Sequence, residues 1–259
     1  MSRTIHWFSC GAASAVATKL SLADNARSHE DDRIVYCETG SEHQDNERFL
    51  ADCERWFGRS ILRIKNPAFA DTFDVWMKER YMAGHHGAPC TRELKFIPRL
   101  DFQLPSDTHV WGYTADKPDV KRAGRMVAEY PAMKQRNPLI ERKLTKANVL
   151  AMLQGAGIEI PTMYKLGFHN NNCIGCVKSS SPAYWALVRQ HFPREFYRIA
   201  GLARELGARL VIVGTELVDG KRRNIRAFID EIPKDQSTKN PIAPSCDFLC
   251  QFAEQEMAA

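Results

Sequence analysis

The predicted fold is decided by a stretch near the N-terminus, Thr4-Ile5-His6-Trp7-Phe8 followed by Ser9-Cys10-Gly11-Ala12-Ala13-Ser14. A short apolar and aromatic run that breaks into small residues, and then continues as a helix-forming run, predicts a strand, a tight loop and a helix. Small residues let the backbone approach a ligand closely, and free N–H groups at a helix N-terminus favour an anion, most often a phosphate. We call residues 9–14 the 9–14 loop; a small-residue turn without a ligand is the alternative interpretation at this stage.

Strand-like and helix-like segments alternate after this loop. Predicted strands cover residues 4–9, 33–38, 60–64 and 109–114, and predicted helices cover about 12–27, 42–57, 70–80 and 91–100. This alternation predicts an α/β fold with a Rossmann-like, mostly parallel sheet flanked by helices. Ligands of such sheets bind at the carboxyl ends of the strands, where the 9–14 loop, residues 38–41 and the turn after Ile64 converge.

The second half of the chain is predicted to be largely helical. Its predicted helices cover residues 143–155, 183–190 and 194–206, residues 209–213 predict a strand, and Asp219-Gly220 predicts a hairpin turn with residues 225–232 as its second arm. We therefore predict an α/β core at residues 1–135. Residues 136–259 are predicted to form a Cys-containing helical C-terminal part that packs on this core as one unit.

Composition places the chain among ordinary globular enzymes. Of its 259 residues, 44% are hydrophobic and 26% are charged. The net charge of +5 and the pI of about 8.8 suit anionic ligands, nucleotides and nucleic acid alike, without selecting one of them. No apolar stretch approaches membrane-spanning length and no signal pattern opens the chain, so we expect a cytoplasmic location and no membrane partner.

The eight cysteines are more than packing requires. In a reducing compartment they are expected to be thiols, metal ligands or catalytic groups rather than disulfides. Cys173-x-x-Cys176 can place two sulfurs on one ion across a tight turn, with Gly175 relieving the backbone. This favours a metal or iron–sulfur site over a redox dithiol, which would begin a helix directly after a strand. Spacing leaves zinc and iron–sulfur both open, and the further ligands would come from Cys90, Cys246 and Cys250.

The remaining thiols and a histidine pair have simpler interpretations. Cys37 and Cys53 are predicted to pack as small hydrophobic residues at a strand end and in a helix. Cys10 is interpreted as a small residue in a crowded turn, with a reactive role as the alternative. The pair at residues 85–86, both histidines, is interpreted as part of an exposed loop rather than as a metal site. The cysteines of residues 246–250 could also lie one turn apart on a C-terminal helix.

Five motifs, taken together, resemble one known family. They are Phe8-Ser9-Cys10-Gly11-Ala12-Ala13-Ser14, Tyr36-Cys37-Glu38-Thr39-Gly40, Cys90-Thr91-Arg92-Glu93-Leu94-Lys95, Trp111-Gly112-Tyr113-Thr114 and Asn172-Cys173-Ile174-Gly175-Cys176-Val177-Lys178. The same order of motifs occurs in the phosphoadenosine-phosphosulfate (PAPS) reductase family, especially in its bacterial and bacteriophage-type members. That family belongs to the adenine-nucleotide α-hydrolases, also called PP-loop ATP pyrophosphatases. The resemblance covers about residues 4–250.

The resemblance implies an adenine-nucleotide site at the carboxyl ends of the strands. The implied nucleotide-binding residues are Ser9, Cys10, Gly11, Ala12, Ala13, Ser14, Cys37, Glu38, Thr39, Gly112, Tyr113 and Thr114. Arg92, Lys95 and Arg122 would neutralise charge that develops on a phosphate or sulfate group. Relatives either cleave ATP between its α- and β-phosphates to adenylate a substrate, or reduce a sulfonucleotide. Several of them carry a [4Fe–4S] cluster on cysteines.

The chain departs from the family pattern at three places. Cys10 replaces the first glycine of the usual Ser-Gly-Gly-x-Asp-Ser loop, and Ala13 replaces the aspartate that helps to position magnesium. Magnesium-assisted ATP cleavage would then need another acid, such as Glu38 or Asp116. Sulfonucleotide reductases end in a Glu-Cys-Gly-x-His-type tail, for which Ser245-Cys246-Asp247 is a poor counterpart. The double cysteine of cluster-bearing adenylylsulfate reductases is represented by a single cysteine.

Three functional hypotheses follow. The first is an enzyme that uses an adenine nucleotide and an iron–sulfur cluster on Cys173, Cys176 and partners, for sulfur transfer to a nucleic-acid or small-molecule acceptor or for nucleotide activation. The second is a reductase of PAPS or adenylylsulfate with Cys246 or Cys250 as its nucleophile. The third is a non-catalytic nucleotide-binding module with a structural zinc ion. A protein thiol donor and a second copy of the chain are further partners compatible with the first hypothesis.

Overall fold

The computed structural model describes residues 3–24, 31–84, 87–238, 242–246 and 248–258; of residues 248, 249 and 258 it describes only the backbone. The predicted loop role of His85 and His86 lies outside the described residues. The first elements are β1 (Thr4–Trp7), α1 (Ala12–Ala23), β2 (Arg33–Cys37), α2 (Asn46–Phe57), β3 (Ile61–Ile64) and α3 (Thr72–Glu79). They alternate as the sequence predicts.

Five parallel strands form the central sheet. Two further strands, β4 (Thr108–Val110) and β5 (Lys134–Arg136), complete the order β3-β2-β1-β4-β5. The chain thus builds outward from β1 in both directions, and β1 and β4 flank the point where the strand order reverses. In open α/β sheets, ligands bind in the crevice at this point. The predicted Rossmann-like α/β fold is confirmed.

The edge strand β5 is absent from the predicted elements. Its sequence, Lys134-Gln135-Arg136, has no apolar residue, because an edge strand needs a backbone partner but little burial on either face. The predicted boundary after residue 135 therefore lies inside a strand that hydrogen-bonds to β4.

The predicted helix at 91–100 is longer and contains a wider turn. It consists of α4 (Pro89–Thr91), a π-helical segment (Arg92–Phe96) and α5 (Ile97–Phe102). Pro98 explains the π segment, because a proline inside an α-helix removes one N–H donor and its ring collides with the carbonyl four residues earlier. The wider turn contains the predicted site residues Arg92 and Lys95.

The remaining helices complete the layers. They are α6 (Lys117–Glu129), α7 (Pro138–Glu141), α8 (Lys146–Gly155), α9 (Thr162–Lys165), α10 (Pro182–His191), α11 (Pro193–Glu205) and α12 (Phe248–Ala258). Helix α6, which is mostly exposed and rich in charged residues, is absent from the predicted elements. Helices α7, α8 and α12 pack on α1, which is buried along most of its length. The predicted Cys-containing helical C-terminal part is confirmed.

Residues 209–213 and the predicted hairpin belong to one ribbon. Strands β6 (Val211–Val218) and β7 (Lys221–Ala227) pair only with each other, around a turn at Asp219 and Gly220. The predicted second arm at 225–232 is wrong beyond Ala227. Ile229 and Ile232 are instead buried against the helices of the C-terminal part, with a short 3₁₀ turn at Ile229–Glu231.

Two large apolar clusters form the core. One joins Phe8, β2, α1, α2, α8 and Cys250, and the other lies among α3, α10, α11 and the root of the β6–β7 hairpin. Among the described helices, none combines the length and the apolar character that crossing a membrane requires.

Candidate functional site

The 9–14 loop presents converging donors at the carboxyl end of β1. The Ser14 Oγ accepts hydrogen bonds from the Ser9 amide at 3.0 Å, the Ser9 hydroxyl at 3.1 Å and the Gly11 amide at 3.4 Å, and donates to the Gly11 carbonyl at 2.9 Å. In the part of the chain that the structure describes, the first-turn amides of Ala13 and Ser14 have no acceptor. A hydroxyl oxygen that gathers three donors occupies a position suited to an anion oxygen.

Close packing fixes the shape of this loop. The Cys10 backbone is left-handed, with φ of 56°, at the position where relatives of the resembled family carry glycine. Behind the loop, a Cβ on Gly112 would come within 2.7 Å of the Ser14 backbone nitrogen. In front of it, the Tyr164 hydroxyl accepts a hydrogen bond from the Ala12 amide at 3.2 Å. The loop is therefore held by β4 on one side and by the C-terminal part on the other.

Cys10 is a packing residue in this arrangement. Its side chain is fully buried, and its thiol lies 3.6 Å from the Asn46 carbonyl oxygen. Burial raises the pKa of the Cys10 thiol far above its ordinary value, so the thiol is protonated at neutral pH. A buried, protonated thiol does not serve as a nucleophile, which agrees with the interpretation of Cys10 as a small residue in a crowded turn.

The segment that leads into the C-x-x-C motif is hydrogen-bonded to both strand-end loops. The Asn171 amide group donates to the Cys10 carbonyl at 2.6 Å. The Cys173 sulfur lies 3.0 Å from the Thr39 hydroxyl, and the Ile174 amide donates to the Ser41 carbonyl at 2.8 Å. The motif, far away in sequence, therefore lies directly on the ends of β1 and β2.

Two of the five predicted metal ligands, Cys173 and Cys176, lie at this position, and a third, Cys90, packs against the same apolar cluster as Ile174 of the motif. Cys173 and Cys176 bracket a turn in which Gly175 has φ of 70° and the Tyr184 hydroxyl accepts from the Cys176 amide at 2.7 Å. Cys90 lies at the start of the helix that contains the π segment; burial raises the pKa of its thiol, and Cys176 adds to that rise. All three thiols are partly exposed.

Lys95, in the π segment, interacts electrostatically with Cys173, Cys37 and Cys176. Burial lowers the pKa of Lys95, but the thiolate form of Cys173 and the carboxylate of Glu42 would raise it, and the pKa lies above its ordinary value. Burial raises the pKa of Cys173 to about 12, and Glu42 adds to that rise. Burial likewise raises the pKa of Cys37 to about 11. Both thiols therefore bind a proton at neutral pH, and a metal bound by Cys173 would displace the proton of that thiol.

The other two predicted ligands lie elsewhere. Cys250 is fully buried in the cluster with α1 and α8, and Cys246 is exposed just before α12. Their sulfurs and a carboxylate oxygen of Glu254 all lie within 4.8 Å of one another. No other group of three or more His, Cys, Asp or Glu among the described residues lies this close together. Burial raises the pKa of Cys250 well above its ordinary value, which does not suit a free nucleophile.

The structure separates the three predicted cationic residues. Lys95 interacts electrostatically with the thiols, whereas Arg92 is exposed and paired with Glu79 at 3.0 Å and with Glu93. Arg122 is paired with its helical neighbour Asp119 at 3.0 Å. Together with Tyr113 and other α6 residues, Arg122 lines an open cleft of about 550 Å³ at the end of β4.

The two acids considered as substitutes for the missing loop aspartate both have partners. Glu38 pairs with Arg63 at 3.1 Å. Asp116 accepts from the Thr114 hydroxyl and from the Lys146 amide, both at 2.9 Å. Thr114 is thereby occupied in supporting the start of α8, and binding of magnesium by either acid would require these contacts to open.

Sequence reasoning missed the residues that join the two halves of the site. Tyr164 contacts Ala12, and Asn171 contacts Cys10 and also the Asn46 side chain at 2.8 Å. The only sequence signal was the asparagine run before Cys173, since side-chain amides satisfy backbone groups at turns. Tyr164 carried no signal, because a tyrosine on a short helix is usually a packing residue.

Comparisons with known proteins give little beyond the fold. The sequence matches no protein-family model, and no curated protein has a significantly similar sequence. Among solved structures, the chain is similar to the U34-tRNA thiolase NcsA from Methanococcus maripaludis with its [4Fe–4S] cluster. The TM-score is 0.47 and the sequence identity is 16%, over 82% of this chain and 76% of that chain.

Proposed function

We propose that this protein is an adenine-nucleotide-using enzyme of sulfur transfer, similar to the PAPS reductase family, with an iron–sulfur cluster held by Cys90, Cys173 and Cys176. The observation that carries the proposal is the contact between Cys173 and Thr39, together with that between Asn171 and Cys10. These contacts support the proposal because Asn171, which contacts the 9–14 loop, lies only two residues before Cys173. Nucleotide activation and sulfur chemistry could then share one cleft.

The 9–14 loop provides the phosphate-binding function in this proposal. Rotation of the Ser14 hydroxyl would release the amides of Ser9 and Gly11, and a phosphate oxygen would accept from them in its place. Lys95 adds a positive charge that neighbouring Glu42 maintains. Charge-assisted hydrogen bonds of this kind stabilise a phosphate that gains negative charge during the reaction.

The three thiols suit a cluster better than a single ion. Within the described residues their sulfur atoms are not all within 4.8 Å of one another, whereas ligands of one zinc ion must be. An iron–sulfur cluster places its irons at separate corners and therefore accepts thiolates that lie farther apart. When bound through three cysteines, such a cluster supplies one iron without a protein ligand, to which sulfide can bind.

Anaerobic reconstitution with iron and sulfide tests this assignment. Cys90→Ser, Cys173→Ser and Cys176→Ser are each expected to lose most of the bound iron, acid-labile sulfide and visible absorbance. Cys246→Ser is the matched control, because it removes an exposed thiol outside the trio. Equal cluster content in Cys173→Ser and wild type would refute the cluster. Failure of wild-type protein to bind ATP, followed by calorimetry, would refute the nucleotide half of the proposal.

A structural zinc ion is the second candidate, and a specific group favours it. Cys246, Cys250 and Glu254 bring two sulfurs and one oxygen together, and zinc accepts this donor set with a fourth ligand from water. Zinc bound there would fasten α12 to α8, next to the Asn148 carbonyl that Cys250 approaches at 3.8 Å. Stoichiometric zinc that is lost in Cys250→Ser but retained in Cys173→Ser would support this alternative.

A further inference from the structure

The β6–β7 hairpin projects from the protein with both faces exposed. Only its root is anchored, where Val211 is buried and the Ile212 amide donates to the Ser180 carbonyl at 2.9 Å. All residues of β7 except the last are exposed, and Leu217 on β6 is 77% exposed. Because the ribbon buries little of its surface, packing against the other described residues does not explain its length.

Strand β7 is strongly basic. Four of its seven residues are cations, in the sequence Lys221-Arg222-Arg223-Asn224-Ile225-Arg226-Ala227. Considering only residues that the structure describes, no carboxylate oxygen lies within 4.0 Å of the cationic nitrogens of these four side chains. Of these four side chains, that of Arg226 donates a hydrogen bond to the Leu210 carbonyl at 3.2 Å.

This lack of acidic partners contrasts with the rest of the surface. Arginines elsewhere commonly form ion pairs with Asp or Glu, among them Arg3, Arg48, Arg63, Arg136, Arg142 and Arg204. A basic strand that leaves its charges unneutralised is suited to a polyanion, whose binding releases counterions from the polyanion.

The ribbon separates its side chains into two distinct faces. The strand register places Arg222 opposite Leu217 and Asn224 opposite Thr215, and side chains two residues apart share a face. This face carries no acid. On the other face, Lys221 and Arg223 lie beside a single acid, Glu216. Arginine, asparagine, threonine and an apolar side chain together match the groups that contact phosphates, sugars and base edges.

The ribbon root is continuous with the cysteine site. Ser180, which accepts from Ile212, follows Ser179, whose amide donates to the Cys176 carbonyl at 2.9 Å. Lys178 adds an exposed cation between the motif and the ribbon. A long polyanion lying on the hairpin would therefore extend toward the thiols.

We propose that the β6–β7 hairpin is a nucleic-acid-binding ribbon, which binds the phosphate backbone and positions the nucleic-acid strand at the thiol site. The inference deepens the proposed function, on which it rests, by making nucleic acid the sulfur acceptor. A two-stranded ribbon fits the major groove of B-form DNA, whereas folded RNA would be held through its phosphates. The shared chemistry is the phosphodiester backbone.

The test measures binding of the full chain to a 20-base-pair DNA duplex, to unfractionated tRNA and to poly-L-glutamate. The triple variant Lys221→Gln/Arg222→Gln/Arg223→Gln is compared with Lys121→Gln/Lys134→Gln/Arg194→Gln, which removes the same charge from exposed positions outside the ribbon. We expect the hairpin variant to lose at least tenfold in affinity for the preferred nucleic acid. Its slope of log affinity against log salt should fall in magnitude by about 2–3, because each lost phosphate contact removes about 0.9.

The outcomes separate this inference from the proposed function. The control variant should stay within about twofold of wild type, and the hairpin variant should keep the wild-type melting temperature, iron content and ATP binding. Equal losses of nucleic-acid affinity in both variants would refute the proposal that the hairpin binds nucleic acid. Equal affinity of the wild-type protein for poly-L-glutamate and for nucleic acid would refute it as well. Absence of a cluster together with hairpin-dependent nucleic-acid binding would overturn the proposed function and leave the ribbon standing.

Discussion

At the scale of single residues, Gly112 determines how closely β4 approaches the 9–14 loop. A Cβ at this position would collide with backbone atoms of Ala13 and Ser14, at 3.0 and 2.7 Å, and backbone cannot rotate away as a side chain can. The geometry of the loop donors therefore depends on a residue that makes no hydrogen bond to them. Sequence reasoning found Gly112 through its motif but could not supply this physical reason.

Gly112→Ala is expected to weaken ATP binding at least tenfold and to destabilise the fold by about 1–3 kcal/mol, because the α1 N-terminus must move. Calorimetry and urea unfolding measure the two effects. Gly124→Ala is the matched control: Gly124 lies on exposed α6 with no atom within 4 Å of the added Cβ. That change should stabilise the protein by roughly 0.5–1 kcal/mol through helix propensity. Unchanged ATP affinity in Gly112→Ala would contradict the assigned loop.

His109 makes stability depend on pH. Burial lowers its pKa from 6.5 to about 4, and its Nδ1 accepts a hydrogen bond from the Trp7 indole at 2.9 Å, which only the neutral ring can do. Because the folded-state pKa lies below the unfolded one, the unfolded chain binds more protons between these values. The stabilisation is present above pH 6.5 and is lost as the pH falls toward 4.

We expect the contribution of His109 to the free energy of unfolding to decrease by about 2 kcal/mol as the pH falls from 7.5 to 5.0. His109→Asn provides the comparison, since the asparagine oxygen can accept from Trp7 without titrating. Urea unfolding of both proteins should show a stability difference that favours wild type more at pH 7.5 than at pH 5.0. A difference that stays constant over this range would show that His109 is not neutralised by folding.

At the scale of elements, predictability followed the amount of apolar surface that each element buries. Strands β1 to β3 and helices α2 and α11 have regular apolar spacing, and all of them were predicted. Strand β5 has no apolar residue, and α6 is mostly exposed and rich in charged residues, so neither was identified from buried apolar residues. The C-terminal end of β7 was misplaced because Ile229 and Ile232 resemble strand residues but pack against helices.

The start of α8 carries both a helix cap and the anchor of the C-terminal segment. The Asn148 side-chain oxygen accepts from the Thr145 amide at 2.9 Å, and Thr145 in turn caps the Asn148 amide. The Asn148 amide group also donates to the Ser245 carbonyl at 3.0 Å. One side chain therefore joins α8 to the segment that precedes α12.

Asn148→Ala is expected to cost about 2–3 kcal/mol, as the sum of a lost cap interaction and a lost buried hydrogen bond. It should also speed amide exchange in residues 242–246 and 248–258. Thr145→Ala removes the cap alone, so we expect a loss of about 1 kcal/mol and unchanged exchange in those residues. Hydrogen exchange by mass spectrometry measures this, and equal exchange in both variants would refute the anchoring role of Asn148.

At the scale of the whole molecule, the candidate site is assembled from both halves of the chain. The order of motifs predicts that Thr39, Lys95 and the C-x-x-C motif share one site, and the Thr39 hydroxyl lies 3.0 Å from the Cys173 sulfur. It could not divide the cysteine pool, because spacing does not show that Cys250 packs against α8 while Cys90 lies near Cys176. Contacts between residues so far apart in sequence follow from the packing of α1 against the C-terminal part.

This packing makes the two predicted parts interdependent. Helix α1 is buried by the sheet on one side and by α7, α8 and α12 on the other. Leu139, Leu144, Val149 and Leu153 are buried completely in the cluster that contains α1. At about 1.5–3 kcal/mol for each buried side chain, these four alone contribute roughly 6–12 kcal/mol. Loss of this burial would therefore remove a free energy as large as the net free energy of unfolding of a typical domain, about 5–15 kcal/mol.

A fragment of residues 1–137, which keeps β5 intact, is therefore expected not to fold alone. It should lack a cooperative urea transition and should expose α1, which dye binding to apolar surface detects. Coexpression with residues 138–259 should restore both a cooperative transition and ATP binding, because the second fragment supplies Tyr164 and Asn171 to the 9–14 loop. A cooperative transition in the isolated fragment would instead show that the nucleotide core is an independent domain. The C-terminal part would then contribute the thiols without supporting the loop.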